Sequence, residues 1–288
     1  MVPKEPESPV SQLERVELVL GAVELEGYMT LSQISAATGI PRSSAHRLLE
    51  RMVKLRWLLR VGDCYELGTR IFELGSEAVR NHWFHRIAYP YLAELQERTQ
   101  LVVHLAYLDG SDVVYWDKLP GTTGGRVPTR IGGRQPAHRT ALGKALLAAE
   151  PDRCLKHPGF DSMKRSTPIT ITDRDELARE IVKVRNDGVA FDRGEALVEI
   201  GCVAATVSAG HANTSDGYTT TAAISICGPL RQIGNELVNP LRAVANRITR
   251  AATVNPMIDS RDELARDLTS PVTSQLDFRC VSDERERL

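Results

Sequence analysis

The chain of 288 residues is long enough for two domains of roughly 150 residues each, and its apolar share of 42% is ordinary for a packed globular protein. With 36 Lys and Arg against 37 Asp and Glu, the net charge of −1 excludes a global field that would draw the whole molecule onto nucleic acid or an acidic membrane. The longest apolar stretches, Leu18 to Val23 and Ala145 to Ala149, fall far short of the ~20 residues of a bilayer span. Met1 to Pro9 is polar and proline-rich without a signal core, so the chain reads as cytoplasmic. Five cysteines, at 64, 154, 202, 227 and 280, with no C-x-x-C, argue against a disulfide framework and a zinc knuckle and read as reduced thiols.

Leu13, Val16, Val19, Leu20 and Val23 recur at three- and four-residue spacing, which predicts an amphipathic helix from Leu13 to Leu25 that stops at Gly27. Thr30-Leu31-Ser32-Gln33 has the form of a capping box, and Leu31, Ile34 and Ala37 carry a second, short helix to Gly39. A third helix follows after Gly39-Ile40-Pro41 and runs from about Arg42 to Leu55, with Leu48, Leu49, Met52 and Leu55 on one face. Trp57 to Arg60, a turn at Val61-Gly62-Asp63, and Cys64 to Leu67 then predict a β-hairpin.

Two short helices with a tight turn, the second basic, followed by a hairpin, give the order of a winged helix-turn-helix. Residues 40–60 carry Arg42, Arg47, Arg51, Lys54, Arg56 and Arg60 against Glu50 alone, a local net charge of +5 in an otherwise neutral chain. Such a run fits a solvated basic face as well as a DNA surface. The hairpin and the Ser43-Ser44 pair favour DNA, because small hydroxyls at the front of a recognition helix reach base edges or phosphates in the major groove.

Residues 69–99 read as helical, with Pro90 expected to break or kink the stretch. Short β-runs follow at Leu101 to Leu108 and Asp112 to Lys118 around the turn Asp109-Gly110-Ser111, then a Gly/Thr-rich loop from Pro120 to Gly125 and a further short run through Arg130. Arg139 to Ala149 is helical again, as is Asp173 to Asn186, which Asp173 caps and Gly188 ends. Strand patterns at Val189 to Asp192, Cys202 to Ser208 and Tyr218 to Cys227 and a last helix from about Leu230 to Ala252 complete an α+β domain. The segment from Asn255 onward lacks sustained periodicity and is expected to be weakly ordered.

Few residues invite catalysis. Gly143-Lys144 lacks the earlier glycine and the following hydroxyl of a phosphate loop, since His138 and Ala145 stand there. His82-x-x-His85 has no third ligand nearby, so no metal is expected. Cys202, with His138 and Asp192 elsewhere, leaves open a nucleophilic arrangement, although a buried inert cysteine is favoured because no nucleophile elbow is present.

Several motifs stand together in one order: Leu31-x-x-Ile34-Ser35-x-x-Thr38-Gly39-Ile40-Pro41-Arg42-Ser43-Ser44-Ala45-His46-Arg47-Leu48-Leu49, then Tyr65-x-Leu67-Gly68, Arg130-Ile131-Gly132, His138 to Ala148, and Ile224-Ser225-Ile226-Cys227-Gly228-Pro229. In this the chain resembles the IclR family of bacterial transcriptional regulators over residues 11–252. The resemblance implies a winged helix-turn-helix over 11–68, a linker helix over 69–84, a GAF-like effector-binding domain over 85–252, and a tail over 253–288. It places DNA reading on Ser43, Ser44 and Arg47 with Arg42 beside them, and the wing on Arg60 to Tyr65. It places effector binding on Ala141, Leu142, Asp192, Cys202, Ser225 and Cys227. Where the family usually has glycine at 199, proline at 206 and often serine at 227, this chain has Glu199, Thr206 and Cys227. The loop Ala209 to Gly217 is longer and more polar than is usual.

The function expected is a ligand-responsive regulator, a repressor or activator of a catabolic operon, that binds a palindromic operator as a homodimer or dimer of dimers. Its effector would be a small organic, often aromatic, acid, and no cofactor is expected. Helix one and the 69–82 connector would supply the pairing faces. The competing reading is a small-molecule hydrolase with Cys202 as nucleophile.

Overall fold

The computed structural model describes residues 11–122, 127–150, 155–208 and 221–254. The chain divides into two units, residues 1–82 and 83–288, each with its own core.

In the first unit, α1 (Gln12–Glu26) starts at a capping box in which the Ser11 hydroxyl accepts from the Glu14 amide while Glu14 accepts from the Ser11 amide. A short strand β1 (Tyr28–Thr30), not expected from the sequence, precedes α2 (Leu31–Thr38), which begins at the anticipated Thr30 and Gln33 capping box. Gly39, at φ +69°, takes the left-handed conformation that lets the chain turn at once into α3 (Arg42–Lys54). The hairpin is β2 (Leu58–Val61) and β3 (Cys64–Leu67), and β3 pairs on its other edge with β1, so the wing supplies the central strand and one edge strand of a three-stranded antiparallel sheet. Val19, Val23, Ile34, Leu49, Met52, Leu58 and Tyr65 close the core between the helices and this sheet.

The connector splits into α4 (Thr69–Arg80) and α5 (Trp83–Thr99). Pro90 lies inside α5, so the expected break falls at Asn81 and His82 instead. Proline has no amide hydrogen for the helical ladder, yet Phe84, Ala88, Leu92 and Leu95 bury their side chains in the core and hold α5 together across it. α4 buries none of its residues in this chain, and Phe72 is 75% exposed.

The second unit is built on a six-stranded antiparallel sheet of β4 (Val102–Asp109), β5 (Asp112–Leu119), β6 (Arg134–Pro136), β7 (Ala190–Asp192), β8 (Ile200–Ser208) and β9 (Thr221–Pro229) in the order β6-β5-β4-β9-β8-β7. Alternation along β4, β8 and β9 gives it two buried faces. Val103, Leu105, Val203, Val207, Ile224 and Ile226 face α5 and α8 (Val238–Val254). Ala106, Ala204 and Ala223 face α6 (Ala141–Ala149) and α7 (Arg174–Asp187). These small residues let α6 lie close to the sheet, and Gly143 lets it fold back against the 3₁₀ turn at 137–139, since a Cβ on Gly143 would sit 2.1 Å from the Ala137 carbonyl oxygen.

Three expectations are corrected. Residues 127–130 of the run ending at Arg130 are not a strand, and the third strand of the second unit is β6. Residues 230–237 form two single 3₁₀ turns before α8, which therefore starts at Val238 rather than near Leu230. Cys202 and Cys227 are joined as a disulfide rather than standing as separate thiols. Their spacing of 25 residues carries no local signal; the β8 and β9 register sets them opposite each other with Cα atoms 4.3 Å apart. The Ala209 to Gly217 loop, Cys154, Cys280 and the segment from Asn255 lie outside the described residues.

Candidate functional site

The basic face of the first unit is carried by α3 and the wing. Ala45, Leu48, Leu49 and Met52 bury one side of α3, which leaves Ser43, His46, Arg47, Arg51 and Lys54 exposed and Ser44 half-buried at its front. Arg47 is exposed on this face. Arg42 is braced by the Ser32 hydroxyl 2.8 Å away at the start of α2. Arg60 leaves the wing with its Nε donating to the Gly62 carbonyl and a guanidinium nitrogen 3.8 Å from Glu50. Arg56 does not join this face. At φ +59° its side chain turns to α4 and bonds Thr69 and Glu73. The Arg70 hydrogen bond, with Arg56 adding to it, holds the Glu73 carboxyl below its ordinary range.

In the second unit a cavity of about 330 Å³ opens over the sheet face that carries α6. Its floor is Tyr115 from β5, Cys227 from β9, Ile200 and Cys202 from β8 and Asp192 from β7. Thr140 to Leu142 and Arg139 form one wall, Val127 to Thr129 a second, and Ala196 and Leu197 a third, with Gln135 and Ser166 at the polar end. The size and the mix of apolar lining with a few directed polar groups suit a small organic molecule.

Each wall has a local cause. The Thr140 hydroxyl caps α6 by accepting from the Gly143 amide, and its carbonyl takes the Lys144 amide, so the amides of Ala141 and Leu142 begin the helix without intrahelical partners. The Arg139 guanidinium spans Ser166 and Gln135, while its buried Nε has no hydrogen-bond partner among the described residues. The second wall is tied down from beneath, where the Lys118 ammonium donates to the carbonyls of Val127 and Thr129 and His104 Nε2 lies 2.8 Å from the Thr129 hydroxyl. A β-bulge between Tyr115 and Asp117, opposite Leu105 and Ala106 of β4, lets Tyr115 face the cavity while Asp117 pairs with His85 of α5. That pairing gives the His85 imidazole a structural partner.

Asp192 is buried, and its carboxylate accepts from the amides of Gly194 and Glu195, folding the turn that brings Ala196 and Leu197 over the cavity. Burial raises its carboxyl above the ordinary range, against the pull of those amides and of Lys144. Burial and the Asp192 charge push the Tyr115 phenol up to about 12, so it remains a neutral hydrogen-bonding group. The structure thus brings Ala141, Leu142, Asp192, Cys202 and Cys227 together around one space. Ser225 is not among the lining residues: it is fully buried, and its hydroxyl lies 3.3 Å from His104 Nδ1. Sequence reasoning missed Tyr115, Gln135, Arg139 and Ser166, whose meeting depends on the sheet register and the bulge rather than on any local spacing.

Among the described residues no cluster of three or more potential metal ligands occurs, and no helix is long and apolar enough to cross a membrane. The Cys202 sulfur is bonded to Cys227, and the His138 imidazole lies 3.3 Å from the Lys164 carbonyl.

Known proteins share this arrangement. Residues 12–62 match the IclR helix-turn-helix domain, and residues 76–250 match the family described as bacterial transcriptional regulator IclR C-terminal. The uncharacterized HTH-type transcriptional regulator RhmR of Escherichia coli is 31% identical over 232 residues, 80% of this chain and 86% of that protein. The transcriptional repressor IclR of Escherichia coli is 27% identical over 244 residues, 83% of this chain and 87% of that protein. An IclR homologue from Microbacterium hydrocarbonoxydans, solved in complex with 4-hydroxybenzoate, superposes with a TM-score of 0.71 at 28% identity, covering 85% of this chain and all of that one. The family is one of ligand-responsive DNA-binding regulators, not of enzymes, and nothing in the comparisons supports the hydrolase reading. With a helix-turn-helix unit that binds DNA and a second unit that binds a small molecule, the chain belongs to the IclR family of bacterial transcriptional regulators.

Proposed function

We propose that this regulator reads a palindromic operator with α3 and the wing, and that a small organic acid in the α6 cavity sets its affinity for that operator. Ser43, Ser44 and Arg47, with Arg42, read the DNA, and Arg60 holds a phosphate from the wing. One such helix spans only a few base pairs, so a useful specificity requires a homodimer or a dimer of dimers on spaced half-sites. The exposed side chains of α4, with Phe72 and Leu74 among them, offer an apolar face for that pairing. The repressors among its relatives favour a repressor of a catabolic operon, acting in the cytoplasm where the operator lies.

The observation that carries the effector class is Arg139. A guanidinium with a buried, unsatisfied Nε stands beside the start of α6, whose first amides and dipole also favour a negative group. A carboxylate there satisfies both, while Leu142, Leu197 and Ile200 cover its carbon skeleton. The 4-hydroxybenzoate complex of the related protein gives a first probe. Calorimetric titration of the full chain with 4-hydroxybenzoate tests the assignment. The Arg139→Gln variant removes a charge-assisted bond of about 2 kcal/mol, which weakens binding roughly 30-fold. Equal affinities for the two proteins would overturn it.

A further inference from the structure

The two cavity cysteines form an arrangement that effector binding alone does not explain. Cys202 and Cys227 lie directly opposite each other on the two longest strands of the sheet, Cα atoms 4.3 Å apart. That spacing is typical of a non-hydrogen-bonded antiparallel pair, in which side chains approach most closely. The fold therefore holds the two sulfurs within bonding reach whether or not they are joined. Both line the cavity that small molecules enter, Cys202 half-buried and Cys227 beneath it at 4% exposure. The row runs on to Val102 beyond Cys227 and to Asp192 beyond Cys202, and Asp192 spends its carboxylate on the amides of its own turn.

We propose that Cys202 and Cys227 are a reversible thiol and disulfide pair, oxidised by small hydroperoxides that enter the effector cavity, and that its state is a second input to DNA binding. The proposal rests on the reading of this cavity as the effector site. Cys202, the more accessible thiol, attacks the peroxide O–O bond; it becomes a sulfenic acid, and the departing oxygen leaves as an alcohol, or as water from hydrogen peroxide. The Cys227 sulfur then attacks the sulfenic sulfur. The S–S bond forms as the sulfenic hydroxyl and the Cys227 proton leave as water, so two thiols supply the two electrons that reduce one peroxide. A cellular dithiol or glutathione reverses the step by exchange at the cavity side. Closing the bond draws both sulfurs together and ties β8 to β9 beside Ile200, which alters the surface on which an effector packs. A ligand-responsive domain answers such a change through the differential stability of its two states.

The full-length protein, reduced with dithiothreitol, is treated with hydrogen peroxide and mapped by differential alkylation and peptide mass spectrometry. Its affinity is measured in both states for a duplex selected from a random library by the reduced protein. The expected result is a loss of two hydrogens located on the Cys202 and Cys227 peptides, full reversal by dithiothreitol, and at least a 5-fold difference in DNA affinity. Cys202→Ser and Cys227→Ser should each lose the peroxide response. A pair that stays reduced or runs on to sulfinic acid, that cannot be reduced in the native chain, or that leaves DNA affinity unchanged would overturn the proposal. The 4-hydroxybenzoate titration of the reduced protein separates the two readings: it can fail while the peroxide response stands, and the reverse.

Discussion

The Lys144 ammonium lies 2.6 Å from the Glu195 carboxylate, and the two residues are 1% and 8% exposed. Lys144 comes from the first turn of α6 and Glu195 from the turn that Asp192 folds, so this ion pair fastens two walls of the α6 cavity to each other. The Glu195 main-chain carbonyl extends the tie by accepting from the Thr167 and Thr170 hydroxyls. The sequence shows Lys144 within a failed phosphate-loop pattern and the His138 to Ala148 motif, but neither reveals Glu195, 51 residues away, or Glu180, 3.6 Å from the ammonium.

Removing one member of a buried pair strands the other. Lys144→Met should destabilise the effector domain by about 3–5 kcal/mol, while the double variant with Glu195→Gln should recover more than half of that. Calorimetry of the domain's unfolding transition measures both. A single-variant loss below about 1 kcal/mol would show that the pair is not what holds the walls.

His104 predicts an acid-side weakness. Burial and the nearby Lys118 charge push its imidazole down from 6.5 to about 3, so it is neutral in the fold and charges readily once unfolded. The unfolded chain then binds the extra proton below pH 6.5, and stability falls as pH drops from there toward 3. At pH 5 the loss relative to pH 8 is about 2 kcal/mol. Asp192 and Glu195, both raised by burial, act in the opposite sense: each favours the fold most when protonated and loses that advantage as pH rises through its raised range. In His104→Gln the loss between pH 6.5 and 5 should shrink, leaving the part owed to His138, whose imidazole burial also pushes down. An unchanged stability profile would remove His104 as its source.

The DNA assignment separates two kinds of contact. Ser44→Ala should weaken binding to the selected duplex by about 1–3 kcal/mol and leave random DNA unaffected. Arg60→Ala should weaken both alike and reduce the salt slope by about 1. Filter binding over a salt series distinguishes them, and equal behaviour of the two variants on both duplexes would contradict the assignment.

Much of this architecture is written locally. The Thr30 and Gln33 box, the caps Asp173 and Gly188 of α7, the α3 stripe and the Asp109 to Ser111 turn are interactions within a few residues, so spacing reveals them. Pro90 misled because tertiary packing of Phe84, Ala88, Leu92 and Leu95 outweighs a missing amide. The cysteine count misled for a related reason: which strands pair, and in what register, is not a property of either segment alone. Motif resemblance supplied Ala141, Leu142, Asp192, Cys202 and Cys227, while Arg139 and Tyr115 became visible only once the sheet, its bulge and α6 were assembled.

The most direct test of a coupled cavity is a reciprocal titration of the reduced full-length protein, with 4-hydroxybenzoate measured with and without saturating selected duplex, and duplex with and without saturating 4-hydroxybenzoate. Coupling requires one factor, between about 5 and 150, in both directions. Leu142→Glu, which puts a carboxylate against the bound acid, should abolish the response while ligand-free DNA binding survives. A factor of one in either direction, or a Leu142→Glu protein that responds like wild type, would contradict the assignment of this cavity as the switch.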